Sequence, residues 1–186
     1  MLVLYVLGRH PSHGYDYSAA LLEEASQWND VVALPMNEGR VTTNKTVGQY
    51  GDWGDEVDVG MSRKVYMWFD LAHRLFLTAS YIAKGDDDMF LRVPLFVAHL
   101  RLLPRRGIYM GLHVGSTQYK KMGLPGNTFM IGWCYTLSRD VAEALVSYNR
   151  CGAWPTCRTA RSVMTNLHCS VFTARTPWLL GFLRRK

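Results

Sequence analysis

Short unbroken apolar runs alternate along the chain with longer stretches in which apolar residues recur every three or four positions. Residues 3–7 form the first run and read as a buried β-strand; residues 31–34 form a second, which Pro35 is expected to stop. Between them, residues 18–28 place Leu21, Leu22, Ala25 and Trp28 on one helical face. The clearest helix spans residues 62–76: Val65, Trp68, Phe69, Ala72, Leu75 and Phe76 keep a helical spacing, and Ser62 is the expected N-cap. Residues 10–14 read as a loop, and the polar stretch 37–60 as a long one.

The second half follows the same rhythm. Residues 81–83 read as a strand edge running into Asp86, Asp87 and Asp88. Pro94 suits the first turn of a helix through Leu103, Arg105-Arg106-Gly107 a turn, and residues 108–112 a strand. Residues 129–137 are β-like and aromatic. Ser138 is then expected to cap a helix, with Asp140 in its first turn, running to about Tyr148. Alternating strands and helices predict an α/β fold with a mostly parallel sheet flanked by helices. In such sheets ligands bind beyond the carboxyl ends of strands, where the acidic triplet falls.

Charge divides the chain in two. The net charge is +6, yet residues 1–148 hold 14 Lys and Arg against 15 Asp and Glu, whereas residues 149–186 hold seven basic residues and no acid. That excess is a property of the tail rather than of a basic folded face, so nucleic acid is not an expected partner. No apolar run approaches the roughly 18 residues of a membrane span. Residues 1–7 lack the basic start and cleavage site of a signal peptide. The domain is expected over 1–148, followed by a Cys- and Arg-rich tail, 149–186, poorly ordered or foreign to it. Cys151, Cys157, His168 and Cys169 do not keep a usual zinc spacing.

Three carboxylates between apolar segments need a reason. A solvated turn is one; a bound cation is the other, because buried charge is normally paired or metal-bound. Carboxylates two apart after a strand can share a hard divalent ion that also takes phosphate oxygens, which suits a departing nucleotide diphosphate. Ile82 before the triplet and Met89-Phe90-Leu91 after it favour the second reading. A metal-dependent phosphoryl-transfer enzyme would use similar carboxylates, but the chain has no G-x-x-x-x-G-K-[ST] loop. Met61, Met67 and Met89 read as core, and His99 as structural or surface. His10, His13 and His113 sit in loops or at a strand end, where solvation competes with ligand contact.

The segment from Met61-Ser62-Arg63-Lys64 through Trp68, then YIAKGDDDMFLRVP, then FMIGWCYTLSRDVAEAL, resembles glycosyltransferase family 31. These are β-1,3-galactosyl and N-acetylglucosaminyl transferases, and the likeness is to their protozoan branch, over roughly residues 1–148. The resemblance implies a GT-A-like fold and an inverting hexosyltransferase that uses Mn2+ and UDP-galactose or UDP-N-acetylglucosamine on a glycan acceptor. It makes Asp88 the main metal ligand, with Asp86 on the ribose or the metal's water shell and Asp87 in support. Lys64 and Lys84 fall on the donor side, and Trp133, Cys134 and Tyr135 on the acceptor side. The family works in the Golgi lumen on an N-terminal membrane anchor; Asn44-Lys45-Thr46 is a glycosylation sequon consistent with a luminal loop.

Two departures from the family qualify that expectation. The anchor, stem and first nucleotide-binding strand have no counterpart before residue 2, leaving the fold incomplete on its N-terminal side. No Asp or Glu follows Glu143, where the family carries its general base, and nothing in the sequence positions His168 to replace it. A weak or inactive enzyme is therefore expected. The competing reading is a non-catalytic remnant that binds UDP-sugar or metal, or a degenerate gene product.

Overall fold

In the computed structural model, residues 1–46, 53–114 and 129–147 are described, and the chain divides into two units, Met1–Leu71 and Ala72–Lys186. The expectations for the tail and for the helix end at Tyr148 lie outside the described residues. The fold is mixed α/β.

In the first unit, strand β1 (Tyr5–Arg9) pairs in parallel with β2 (Val31–Asn37), joined through a 3-10 turn at Pro11–His13 and helix α1 (Ala19–Trp28). Ser18 caps α1 as its sequence predicts, its hydroxyl accepting the Leu21 N–H. The strands differ from expectation. β1 starts two residues late, Met1, Leu2, Val3 and Tyr5 are exposed, and of its residues only Gly8 is buried. β2 runs through Pro35 rather than stopping there. The register slips between Leu7 and Arg9, so Leu7 faces Ala33 while Arg9 faces Asn37. That irregularity absorbs the proline, which a strand in a two-stranded sheet tolerates. The apolar face of α1 is not core either: Leu22 and Trp28 are exposed.

Helix α2 (Asp55–Leu75) begins seven residues before the expected cap at Ser62. Asp55, Glu56 and Asp58 occupy its first turn, where carboxylates favour the helix dipole, so its start is charged rather than apolar. Gly39 and Gly60 let the chain after β2 lie against this turn. A Cβ on Gly39 would fall on the Glu56 carbonyl, and one on Gly60 would lie 2.7 Å from Gly39 N. The expected apolar stripe is buried at Phe69 and Ala72, but Leu75 is exposed and Phe76 lies past the helix end. Met61 is exposed, against its reading as core.

The second unit corrects the mostly parallel sheet. Its order is β3 (Tyr81–Gly85), β5 (Phe129–Ser138), β4 (Tyr109–Val114), and β5 is antiparallel to both neighbours. Strands β3 and β4, linked by α3 (Val93–Leu102), therefore run the same way, as a β-α-β alternation predicts. The long strand β5 is inserted between them in the opposite sense. Alternation of elements carries no information about that direction.

Strand β5 is the buried centre: Tyr135, Thr136, Leu137 and Ser138 are all at or below 5% exposure. Ile82 and Leu137 are register partners, as are Tyr109 and Leu137, so their side chains share one face. Pro94 does sit in the first turn of α3, and Phe96 is that helix's buried residue. Helix α4 (Arg139–Ser147) follows β5 directly. Ser138 ends β5 and, as expected, immediately precedes the helix that carries Asp140 in its first turn. Its hydroxyl accepts the Ile108 N–H at 2.9 Å and donates to Asp140 Oδ1 at 2.6 Å. Asp140 also accepts the Gly107 N–H, at 3.0 Å to Oδ2. Partial burial pushes the Asp140 carboxyl up, but the Ser138 hydroxyl and the N–H groups of Gly107, Asp140 and Val141 outweigh it and hold the group below its usual range. Arg139 closes the corner, donating to Phe76 O at 2.8 Å and His73 O at 2.7 Å.

Two stability effects are expected. Leu137→Ala should lower stability by about 2–5 kcal/mol in urea unfolding, because the side chain is enclosed. A depressed folded-state pKa stabilises above the unfolded value and is lost as pH falls through the folded one. Asp140→Asn should thus be less stable than the parent at neutral pH, and the two midpoints should converge as pH drops into the acid range below the ordinary carboxylate value.

Candidate functional site

The β3–β5 ladder brings the predicted donor and acceptor residues onto neighbouring strands. Lys84 is opposite Tyr135 and Gly85 opposite Cys134, and the Asp86 N–H extends the pairing with a 2.9 Å bond to Trp133 O. Side chains alternate along a strand. Ile82, Lys84 and Asp86 therefore share a face with Leu137, Tyr135 and Trp133. This face grades from an enclosed end at Ile82 and Leu137, through half-buried Lys84, to exposed Trp133 beside the acidic turn.

Lys84 organises the open end. Its ammonium pairs with Asp86 Oδ1 and donates to Gly132 O at 2.6 Å. Gly132 lies beside this cluster: a Cβ there would make ordinary contacts, 3.5 Å from Lys84 Nζ and 3.6 Å from Asp86 Oδ2. Asp86 is half-buried, whereas Asp87 and Asp88 are exposed on the turn that follows β3. Among the described residues no group of three or more His, Cys, Asp or Glu side chains is arranged to hold a metal ion.

Beneath the open end lies an aromatic pair. Tyr109 and Tyr135 meet edge to face, centroids 5.9 Å apart at 85°. Gly111 permits this, since a Cβ there would lie 2.9 Å from the Tyr135 Cβ and the Cys134 carbonyl. Burial, the neighbouring Tyr109 and the Asp86 charge all push the Tyr135 phenol far up, so it stays protonated. Tyr109 is raised by burial as well, and its oxygen accepts the Met130 N–H at 3.3 Å. Burial also raises the Cys134 thiol; Lys84 acts against this and Asp86 with it. The Tyr135 phenol and the Cys134 thiol are thus both held toward their neutral forms.

Lys64, the remaining donor-side residue, lies in the first unit. Its ammonium donates to Glu38 Oε1 at 2.8 Å, and the same oxygen accepts the Gly8 N–H at 3.0 Å. Glu38 follows β2 directly, at the carboxyl end of the parallel pair; sequence reasoning missed it although its position after a strand was readable. The Gly132 carbonyl, which accepts from the Lys84 ammonium, was missed too. His113 is exposed at the sheet edge.

No family model matches the chain, and no curated protein matches it.

Cys134 offers a direct readout of this cluster. Its alkylation by iodoacetamide at pH 8, followed by mass spectrometry, should be severalfold slower than that of free cysteine. Lys84→Met should slow it further, because the change removes the charge that favours the thiolate and leaves Asp86 unopposed.

Proposed function

We propose that the chain is the donor-binding part of a hexosyltransferase that takes UDP-galactose or UDP-N-acetylglucosamine with Mn2+ or another divalent cation. The sugar passes to a glycan acceptor with inversion, in β-1,3 linkage, in the Golgi lumen. The observation that carries this reading is the β3–β5 register, which sets Lys84, Gly85 and Asp86 beside Trp133, Cys134 and Tyr135 and leaves Asp87 and Asp88 exposed at the strand end. The likeness of these motifs to family 31 transferases supplies the substrate class, and the exposed sequon at Asn44 agrees with a luminal surface. No helix among the described residues is long and apolar enough to cross a membrane.

In this reading each residue has a modest task. A bound divalent cation neutralises charge on the leaving nucleoside diphosphate. Asp88, exposed on the turn, would hold the cation, and Asp86, paired with Lys84, would offer it a second oxygen. Lys84 keeps the turn against β5 and lends positive charge close to the phosphates. Trp133 presents an aromatic face for stacking on a sugar ring, while Tyr135 below it supports the strand.

Inverting transfer also needs a base for the acceptor hydroxyl proton. Residues 144–186 contain no Asp or Glu, which favours a second reading: donor binding without turnover. Calorimetric titration of UDP with Mn2+, then with EDTA, tests what both share. Binding should require the metal and weaken at least about tenfold in Asp88→Asn. Metal-independent binding, or a folded protein that binds no UDP, would overturn both. Release of UDP from UDP-galactose or UDP-N-acetylglucosamine in the presence of acceptor then separates transferase from binder.

A further inference from the structure

Helix α3 turns an apolar stripe to solvent. Phe96 is its buried residue, yet Leu95, Ala98 and Leu102, spaced three and four apart and turned away from Phe96, are all exposed. Leu102 is 84% exposed. A surface helix of a globular fold normally carries polar residues on that face. Single exposed apolar residues are ordinary, whereas an apolar stripe rimmed by charge marks an interaction surface.

The rim of this stripe is basic. Arg101 lies in the last turn of the helix, Arg105 and Arg106 follow it, and all three are exposed. The sequence from Met89 to Val114 contains no Asp or Glu. Arg106 Nε stands 3.7 Å from Asp140 Oδ2, and among the described residues Arg101 forms no ion pair. The helix end is also fixed. The Tyr81 hydroxyl is shared between Leu103 O at 2.8 Å and Pro104 O at 2.9 Å, just behind Leu102. The acidic turn at Asp86–Asp88 precedes the other end of the helix. Ten residues of helix rise about 15 Å, beyond a screening length of roughly 8 Å at physiological salt, so those carboxylates do not cancel the arginines.

Charge decides what can cover such a face. Residues 115–128 hold Lys120 and Lys121, residues 148–186 hold seven basic residues, and neither segment has an acid. Both therefore have the same sign as the rim, as would the same face of a second copy. The complement is an anionic surface with an apolar layer beneath it.

We propose that the exposed face of α3 docks on a membrane surface rich in anionic phospholipid. Leu95 and Leu102 enter the boundary between headgroups and acyl chains, while Arg101, Arg105 and Arg106 meet the phosphates. A nucleic acid would engage the arginines but leave the leucines in water. The contact is peripheral and reversible, because one short helix buries little apolar area. It uses none of the residues assigned to the transferase and does not depend on that reading.

The test is co-sedimentation of the full chain with vesicles of phosphatidylcholine and phosphatidylglycerol, mixed roughly two to one, against vesicles of phosphatidylcholine alone. Binding should require the anionic lipid and weaken at about 0.5 M NaCl. Leu102→Ser should lower the bound fraction at least about threefold, and the pair Arg101→Gln and Arg105→Gln should act likewise. These positions are exposed, and circular dichroism should show the variants folded as the parent. Hydrogen exchange of residues 95–106 should slow on vesicles. No binding, equal binding to neutral vesicles, or binding unchanged in the variants would overturn the proposal. So would binding that survives Leu102→Ser but is lost with the arginines and is matched by polyuridine RNA, which would mark a site for polyanions instead.

Discussion

Pairing of β3 with β5 is the constraint on which the second unit depends. Strand β5 is enclosed over Tyr135–Ser138, so its register on β3 decides which side chains fill the core and which reach solvent. A slip of one residue would exchange the faces of Leu137 and Thr136, setting a hydroxyl where the leucine packs on Ile82, and would also separate the acidic turn from Trp133. Lys84 secures the open end of the ladder: one ammonium neutralises Asp86 and takes the Gly132 carbonyl. Ser138 and Asp140 secure the other end through Ile108 and Gly107. Stability and site geometry therefore come from the same strand.

The first unit is organised differently. Its two-stranded parallel sheet is small, and such a pair gains little by itself. Backbone contact between Gly39 and the first turn of α2, together with the shared oxygen of Glu38 on Gly8 and Lys64, ties the sheet to the helix. Glu38 and Gly39 lie just beyond the carboxyl end of β2, where parallel sheets commonly present their chemistry.

Much of this was legible in the sequence where local signals are strong. Ser18, Pro94 and Gly107 marked a cap, a first turn and a tight bend, and each is observed. The 3.6-residue period found Phe69 and Ala72 but missed the start of α2, because that first turn is held by charge and by glycine contact rather than by an apolar stripe. Pro35 misled because an irregular two-stranded register can accommodate it. The direction of β5 was not readable, since alternation of strands and helices is the same for either sense. The triplet and the strand of Trp133 were recognisable singly. Their adjacency, and Lys84 and Gly132 as what joins them, required the register.

That register can be measured without any ligand. The Asp86 N–H to Trp133 O bond makes Gly85 and Cys134 a non-hydrogen-bonded pair, with Cα atoms expected about 4.5 Å apart, within the span of a disulfide. At Gly85 an added Cβ would meet only the Trp133 carbonyl, at 3.6 Å. Mild oxidation of the Gly85→Cys variant, followed by peptide mapping, should therefore join the introduced thiol to Cys134 in the folded monomer. Failure of the two to join, with the introduced thiol remaining reduced or pairing elsewhere, would contradict the register and with it the assembly of the site.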